Sequence, residues 1–226
     1  MGHIRNNESH ATWEAAEPAP MTVVLLIRHA HTDALGRFLA GRAAGVPLST
    51  IGRAQAERLG RVLAALPLAG IYTSPLERAV ETARGIAHHQ PVRIHEDADL
   101  HEIDFGDWTG RTFAELDELV EWQAFNERRS AAAVPHGEAP ARVQERIVGA
   151  ITRLTGANRG GTIALVTHAD VIRTAVLYIA GSSLDFWQRF EISPASITAV
   201  SVSGSAFRLL YVNYRQMSES DIGVFP

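Results

Sequence analysis

Val23-Val24-Leu25-Leu26-Ile27-Arg28-His29-Ala30-His31-Thr32 is the stretch from which the rest of the chain is read. Five consecutive apolar residues, bounded by polar ones, predict a short strand buried on both faces. Arg28 and His29 then fall at its carboxyl end, the edge at which open α/β sheets bind ligands. A guanidinium offers phosphate oxygens a fixed fork, and a neutral imidazole is nucleophilic near neutral pH, so the pair suits phosphoryl chemistry. A chance Arg-His at a strand end would look the same in isolation, and the remaining sequence has to decide.

A second buried run, Thr162-Ile163-Ala164-Leu165-Val166, ends in the same manner with Thr167-His168-Ala169. Adjacent parallel strands would bring His29 and His168 to one carboxyl edge. A third segment, Gly70 to Thr73, is a short strand followed by Ser74-Pro75, read as N-cap and first helical residue of a helix through Val80, Ala83 and Ile86. That places Arg78 in the first turn, where a helix N-terminus already favours anions. Two arginines and two histidines converge on one pocket.

Elsewhere, residues 1–20 are polar with two prolines near the end, and read as a flexible tail. Met21, directly before the first strand, is a candidate alternative start. Asp33 to Thr50 reads as a loop, with Ser49 or Thr50 capping a helix through Ala54, Leu59, Val62, Leu63 and Leu66. Pro91 to Ile94 resembles a strand, and Leu100 to Gly110 is an acidic, aromatic, glycine-containing loop. Helical patterns run from Phe113 to Glu127, from Ala139 to Leu154, and from Val171 to Ala180 with Gly181 at C′. Ile197–Val202 and Phe207–Val212 read as a hairpin through Gly204. Strands alternating with helices predict a three-layer α/β/α sandwich with a mainly parallel central sheet, one domain over residues 21–226.

Composition is that of an ordinary globular protein: 226 residues, 46% hydrophobic, net charge −4 and no cysteine. No broad basic field supports nucleic-acid binding. No apolar run reaches membrane-spanning length, and the start lacks a basic region followed by an apolar one, so the expectation is cytoplasmic and non-membrane.

The chain resembles the histidine phosphatase superfamily, with its phosphoglycerate mutase-like fold, over about residues 21 to 213. Arg28-His29-Ala30 matches the family's Arg-His-Gly opening, and Ser74 to Ala83 match its Ser-Pro-Leu-x-Arg-Ala-x-x-Thr-Ala motif. Glu102, Gly106, Trp108 and Gly110 match its Glu-x-x-x-Gly-x-Trp-x-Gly loop; Val166-Thr167-His168 with Val171-Ile172-Arg173 match its second-histidine strand. Pro47-Leu48, Gly52 and Gln55-Ala56 match a further run. The resemblance implies that His29 accepts the phosphoryl group, that Arg28, Arg78 and His168, with Ala169, bind its oxygens, and that Glu102 is proton donor and then base. Asp104 and Asp107 are rivals for that last role, but only Glu102 has the motif's offset. No cofactor or metal is implied; the partner is a small-molecule phosphate ester.

The departures also matter. Ala30 and Ala169 replace common glycines, Leu35 stands where many members have an asparagine, and His31 replaces a frequent glutamate or glutamine. Arg37 is a candidate substitute for the missing donor. It joins Thr32 and Glu138, which follows Gly137 as in the family's Gly-Glu-Ser turn, as a candidate substrate contact. Phe113–Glu127 and Pro135–Glu138 fall where the family inserts its substrate cover. Trp108 is assigned to packing its loop; Trp187 and Phe190 are assigned to packing or a subunit contact, so a homodimer is an open expectation. Gly110 to Gly161 is short for a mutase insertion, and a short cover leaves a phosphohistidine open to water. A phosphatase is therefore expected, with a cofactor-dependent phosphoglycerate mutase as runner-up. A metal-dependent hydrolase using His29-x-His31 and a phosphate-binding protein without turnover are the alternatives from other classes.

Overall fold

Val24 to Ile27 are buried because both faces of their strand are covered. The computed structural model describes residues 20–215; the predicted tail, apart from Pro20, lies outside the described residues. Strand β1 (Thr22–Arg28) pairs in parallel with β4 (Thr162–Thr167) and antiparallel with β5 (Ile197–Ser203). With β2 (Gly70–Thr73), β3 (Ile94–Glu96) and β6 (Ala206–Tyr214), they form one six-stranded sheet in the order β3-β2-β4-β1-β5-β6. β3, β2, β4 and β1 run parallel, and the β5–β6 hairpin adds the antiparallel edge.

The twofold alternation of strand side chains divides β1 between two cores. Val24 and Leu26 join the residues of α5 (Pro140–Ala157) and α6 (Ala169–Ile179), while Leu25 and Ile27 join those of α1 (Thr50–Leu63) and α2 (Glu77–Ala87). This is the expected three-layer α/β/α arrangement. After β1 the chain leaves toward the α1 face, whereas after the adjacent β4 it leaves toward the α6 face. Two neighbouring strands whose connections diverge leave a crevice at their carboxyl ends. His29 and His168 sit at that crevice.

Several predicted boundaries change. The single helix expected over Phe113–Glu127 is two, α3 (Phe113–Asp117) and α4 (Val120–Glu127), with Leu119 in extended backbone between them. Buried Leu116, Trp122 and Phe125 are spaced six and three apart, so one continuous helix would send Leu116 and Trp122 to different faces; the break re-phases them. The Trp122 indole then donates to the Asp117 carboxylate. Helix α2 starts at Glu77, not Pro75, and Leu76 occupies its N-cap without a side-chain bond. Ser74 is engaged by His168 instead. The third strand lies at Ile94–Glu96, beyond Pro91, because the Val92 amide turns back to the Gln90 carbonyl. Ser49 caps α1, and Gly181, with φ 63°, follows α6 as expected. Among the described residues, no helix is long and apolar enough to cross a membrane.

Candidate active site

The register that pairs Arg28 with Thr167 sets the next residues, His29 and His168, side by side. Their ring centroids are 5.1 Å apart. His29 Nδ1 lies 2.8 Å from the Ala30 carbonyl oxygen, which can only accept, so Nδ1 carries the proton. Nε2 is left with its lone pair, and Arg78 Nε donates to it at 3.3 Å. Burial, then the Arg78 and Arg28 charges, holds the imidazole well below its ordinary pKa of 6.5. His29 is therefore neutral.

Arg78 is 2% exposed and anchored from both ends. Its NH2 donates to the Gly41 carbonyl at 2.8 Å, and its own carbonyl accepts from Thr82 Oγ1 at 2.7 Å. That hydroxyl in turn accepts from the Ala30 amide at 3.0 Å, which ties α2 to the residue after the nucleophile candidate. Arg28 NH1 donates to the Ile192 carbonyl at 2.6 Å, and its buried Nε has no hydrogen-bond partner among the described residues.

His168 has no exposed surface. Its Nε2 is 2.9 Å from Ser74 Oγ, which itself accepts from the Leu76 amide at 3.4 Å; with the hydroxyl hydrogen turned to Nε2, Nδ1 is the protonated nitrogen. Nδ1 has no hydrogen-bond partner among the described residues and points to Glu102 Oε2 at 3.9 Å. Burial foremost, then Arg78, keeps this ring neutral too. His168 is the N-cap of α6, so the helix's first turn, beginning at Ala169, adds partial positive charge to the cleft.

Glu102 Oε1 accepts from the Ile103 amide at 3.0 Å. Burial, followed by the neighbouring Asp170 charge, raises its pKa from 4.5 to about 7 against the opposing pull of Arg78. Gly106 supports the loop. It has φ 46°, and a Cβ there would strike the Pro135 carbonyl oxygen, so only glycine lets the two segments close together.

A cleft of about 230 Å³ opens beside these groups, with Leu35, Leu39, Phe105, Phe113, Trp122 and Trp187 among its walls; His168, fully buried, is not one of its lining residues. Arg28, His29, Thr32, Arg78, Glu102 and Ala169 all face it. Arg37 is exposed and not among the lining residues, and neither is Glu138, whose carboxylate is held by Arg42 and Arg146. His31 Nδ1 is 2.8 Å from Ser49 Oγ, at the start of α1.

Sequence reasoning missed a charged cluster in the same cleft. Asp170, on the first turn of α6, is paired with Arg129 NH1 at 3.3 Å and Arg173 NH1 at 2.9 Å. Burial disfavours this carboxylate, but the two guanidiniums outweigh burial and hold it ionised. Arg129 lies 3.4 Å from the Trp187 ring centroid and 4.5 Å from that of Phe125. Trp187, expected in packing or a subunit contact, thus packs and lines the cleft at once. The i, i+3 spacing of Asp170 and Arg173 was a usable signal; the pairing with Arg129, from a distant segment, was not.

Two neutral imidazoles beside two guanidiniums, faced by a carboxyl that holds its proton near neutral pH, make a site for phosphate-ester chemistry. The chain belongs to the histidine phosphatase superfamily (branch 1), whose model matches residues 24–215, and it is a phosphatase of that superfamily. The structure is similar to that of Bacillus stearothermophilus YhfR, with a TM-score of 0.80 and 32% identity over 84% of this chain and 95% of that one. It is also similar to a mycobacterial glucosyl-3-phosphoglycerate phosphatase, with a TM-score of 0.77 and 25% identity over 86% of this chain and 100% of that one. In sequence it is 27% identical to phosphoserine phosphatase 1 of Hydrogenobacter thermophilus, over 80% of this chain and 86% of the relative.

Proposed function

We propose that the protein hydrolyses a small phosphomonoester through a phosphohistidine on His29. The observation that carries this reading is the His29 imidazole, neutral, with its Nε2 lone pair directed at Arg78 inside an anion-binding cleft. In the first step Nε2 forms the N–P bond as the P–O bond to the leaving group breaks. Arg28, Arg78, the His168 Nδ1–H and the α6 N-terminus take the charge on the phosphoryl oxygens, and Glu102 gives its proton to the departing alkoxide. In the second step the Glu102 carboxylate takes a proton from water, the water oxygen bonds to phosphorus, and the N–P bond breaks. Phosphate leaves, and His29 and Glu102 return to their starting forms.

The aromatic wall favours a leaving group with apolar surface. Relatives named for phosphoserine, α-ribazole phosphate and glucosyl-3-phosphoglycerate support a metabolite-sized substrate without choosing one. We place the enzyme in the cytoplasm, as one catalytic domain that engages neither nucleic acid nor membrane. The mutase reading is disfavoured because α3, α4 and the turn at Arg129–Ala131 are a modest cover for excluding water. The metal reading would need more ligands than His29 and His31: among the described residues no three His, Asp or Glu side chains are grouped to hold an ion.

The test is a panel of phosphate monoesters assayed for released phosphate, with brief incubation and denaturation to trap acid-labile phosphate on His29. His29→Ala should retain its fold and lose turnover. Normal turnover in that variant would remove the assignment, and interconversion of phosphoglycerates faster than phosphate release would favour the mutase.

A further inference from the structure

Glu138 was expected to touch substrate, but it lies behind the Glu102 loop and outside the cleft. Its carboxylate is a hub. Oε2 accepts from Arg42 NH2 at 2.9 Å and Arg146 NH2 at 3.1 Å, while Oε1 accepts from Arg146 Nε at 2.8 Å. Both guanidiniums also reach one backbone atom, the Glu102 carbonyl oxygen, from Arg42 Nε at 2.8 Å and Arg146 NH2 at 3.2 Å. Arg146 NH1 adds a bond to the Asp99 carbonyl at 2.7 Å, and the Glu138 amide donates to the Asp104 carbonyl at 2.8 Å. Two separate segments, the loop after β1 and α5, therefore meet on the backbone of residue 102, and the turn before α5 joins them through the Glu138 carboxylate.

We infer that Glu138 is a positioning residue for proton transfer, holding Arg42 and Arg146 on the Glu102 carbonyl so that the Glu102 carboxyl stays fixed against His29 and the leaving group. The inference rests on the reading of Glu102 as proton donor. The carboxylate of Glu138 is needed because two guanidiniums sharing one carbonyl oxygen repel each other. With the counter-charge they are drawn onto a common anion and their forks are oriented. The side chain is 17% exposed, so the pairing is only weakly screened by solvent. Without it, one or both arginines would swing away, and the loop would lose the anchor that sets its carboxyl.

The charges that face Glu102 come from every surrounding element: Arg28 at the end of β1, Arg78 on α2, Arg129 after α4, Arg146 on α5 and Asp170 on α6. The neutral rings of His29 and His168 complete the surroundings. Glu138 offsets Arg146 and Arg42; its loss leaves more uncompensated positive charge near Glu102, which favours the carboxylate and weakens the acid.

The experiment is steady-state kinetics of Glu138→Gln and Arg42→Lys across pH, beside Glu102→Gln, on an alkyl phosphate and on p-nitrophenyl phosphate. An alkoxide needs a proton to leave and p-nitrophenolate does not. Both clamp variants should lose about tenfold or more in kcat on the alkyl ester and less than about threefold on the aryl ester. KM should change little in both, and in Glu138→Gln the falling high-pH limb should move to lower pH. Circular dichroism and thermal melting establish that each variant is folded; Arg42→Lys, at the more exposed end of the clamp, carries the test should Glu138→Gln fail to fold. A raised KM with unchanged kcat would make Glu138 a substrate contact. Equal losses on both esters in the clamp variants, alongside a split in Glu102→Gln, would overturn the positioning role alone. No split in Glu102→Gln would remove the proton-donor reading and this inference with it.

Discussion

Glu102→Gln should stabilise the protein at high pH, and the structure gives the size of the effect. Burial first, then the charge of Asp170, raises the Glu102 carboxyl from 4.5 to about 7. At about 1.4 kcal/mol per pH unit, ionising it in the folded state costs about 3 kcal/mol more than in the unfolded chain. The sign follows from linkage. Because the folded value is raised, the stabilising contribution is complete below the unfolded value, erodes as pH rises through the window from about 4.5 to about 7, and is absent above it. Glutamine has no such titration. Urea unfolding of both proteins between about pH 4.5 and pH 8.5, in buffer without phosphate, should show the variant gaining about 3 kcal/mol relative to wild type across that range. For a chain of this size the gain corresponds to roughly 6–12 °C in Tm. Other titrating groups are shared and cancel in the comparison. A difference that stays constant with pH would mean that Glu102 is not held protonated by its surroundings, and the acid role would lose its physical basis.

Asp170→Asn leaves the buried Arg129 without its carboxylate partner and should cost about 3 kcal/mol or more of stability, read by urea unfolding. The same change removes the charge that helps keep Glu102 protonated, so the high-pH limb of kcat should move downward; an unmoved limb would separate the two residues. Ser74→Ala frees His168 Nε2 and should lower activity several-fold with little effect on melting, since it unsettles the tautomer that presents Nδ1–H. In the proposed mechanism arginines neutralise the phosphoryl charge, so chelation with EDTA should leave activity unchanged and vanadate should inhibit competitively; restoration of chelated enzyme by zinc or manganese would favour the metal reading.

What the sequence disclosed followed from short-range chemistry. The apolar runs before His29 and His168 carry their own burial signal, and two such runs in an alternating pattern imply adjacent parallel strands. Arg78 was legible from its place after Ser74-Pro75, although the reason given for Ser74 was incomplete: its hydroxyl serves His168 rather than capping α2. Glu102 was singled out among Glu102, Asp104 and Asp107 only by the spacing to Gly106 and Trp108. What stayed hidden depends on contacts between distant segments. Arg129 and Asp170 are 41 positions apart in numbering yet share one ion pair, and no local period encodes that. Glu138 was noticed for its motif but placed on the wrong side of the loop, because which way a glutamate faces depends on Arg42 and Arg146 arriving from elsewhere. The helix break at Glu118–Leu119 went unread, since one helix was expected over Phe113–Glu127, although the six-residue gap from Leu116 to Trp122 does not suit a single buried face.

One physical cause prepares both reacting groups. In the proposed mechanism the first step needs His29 neutral and Glu102 protonated at the same moment. With ordinary pKa values of 6.5 and 4.5, at a pH of about 5.5 only about a tenth of each group would be in the required form, and only about a hundredth of molecules would have both. Burial penalises charge of either sign, so it lowers the histidine and raises the glutamate, and their order inverts. The guanidiniums of Arg78 and Arg28 push His29 further in the useful direction, and Asp170 does so for Glu102. Between the two shifted values nearly every molecule then holds the competent pair. The expected signature is a kcat on alkyl phosphates, where chemistry limits turnover, that is flat through the ordinary histidine range and falls about tenfold per pH unit above about 7. A rising limb near 6.5 would show that His29 must still lose a proton there, and the inverted order would be wrong.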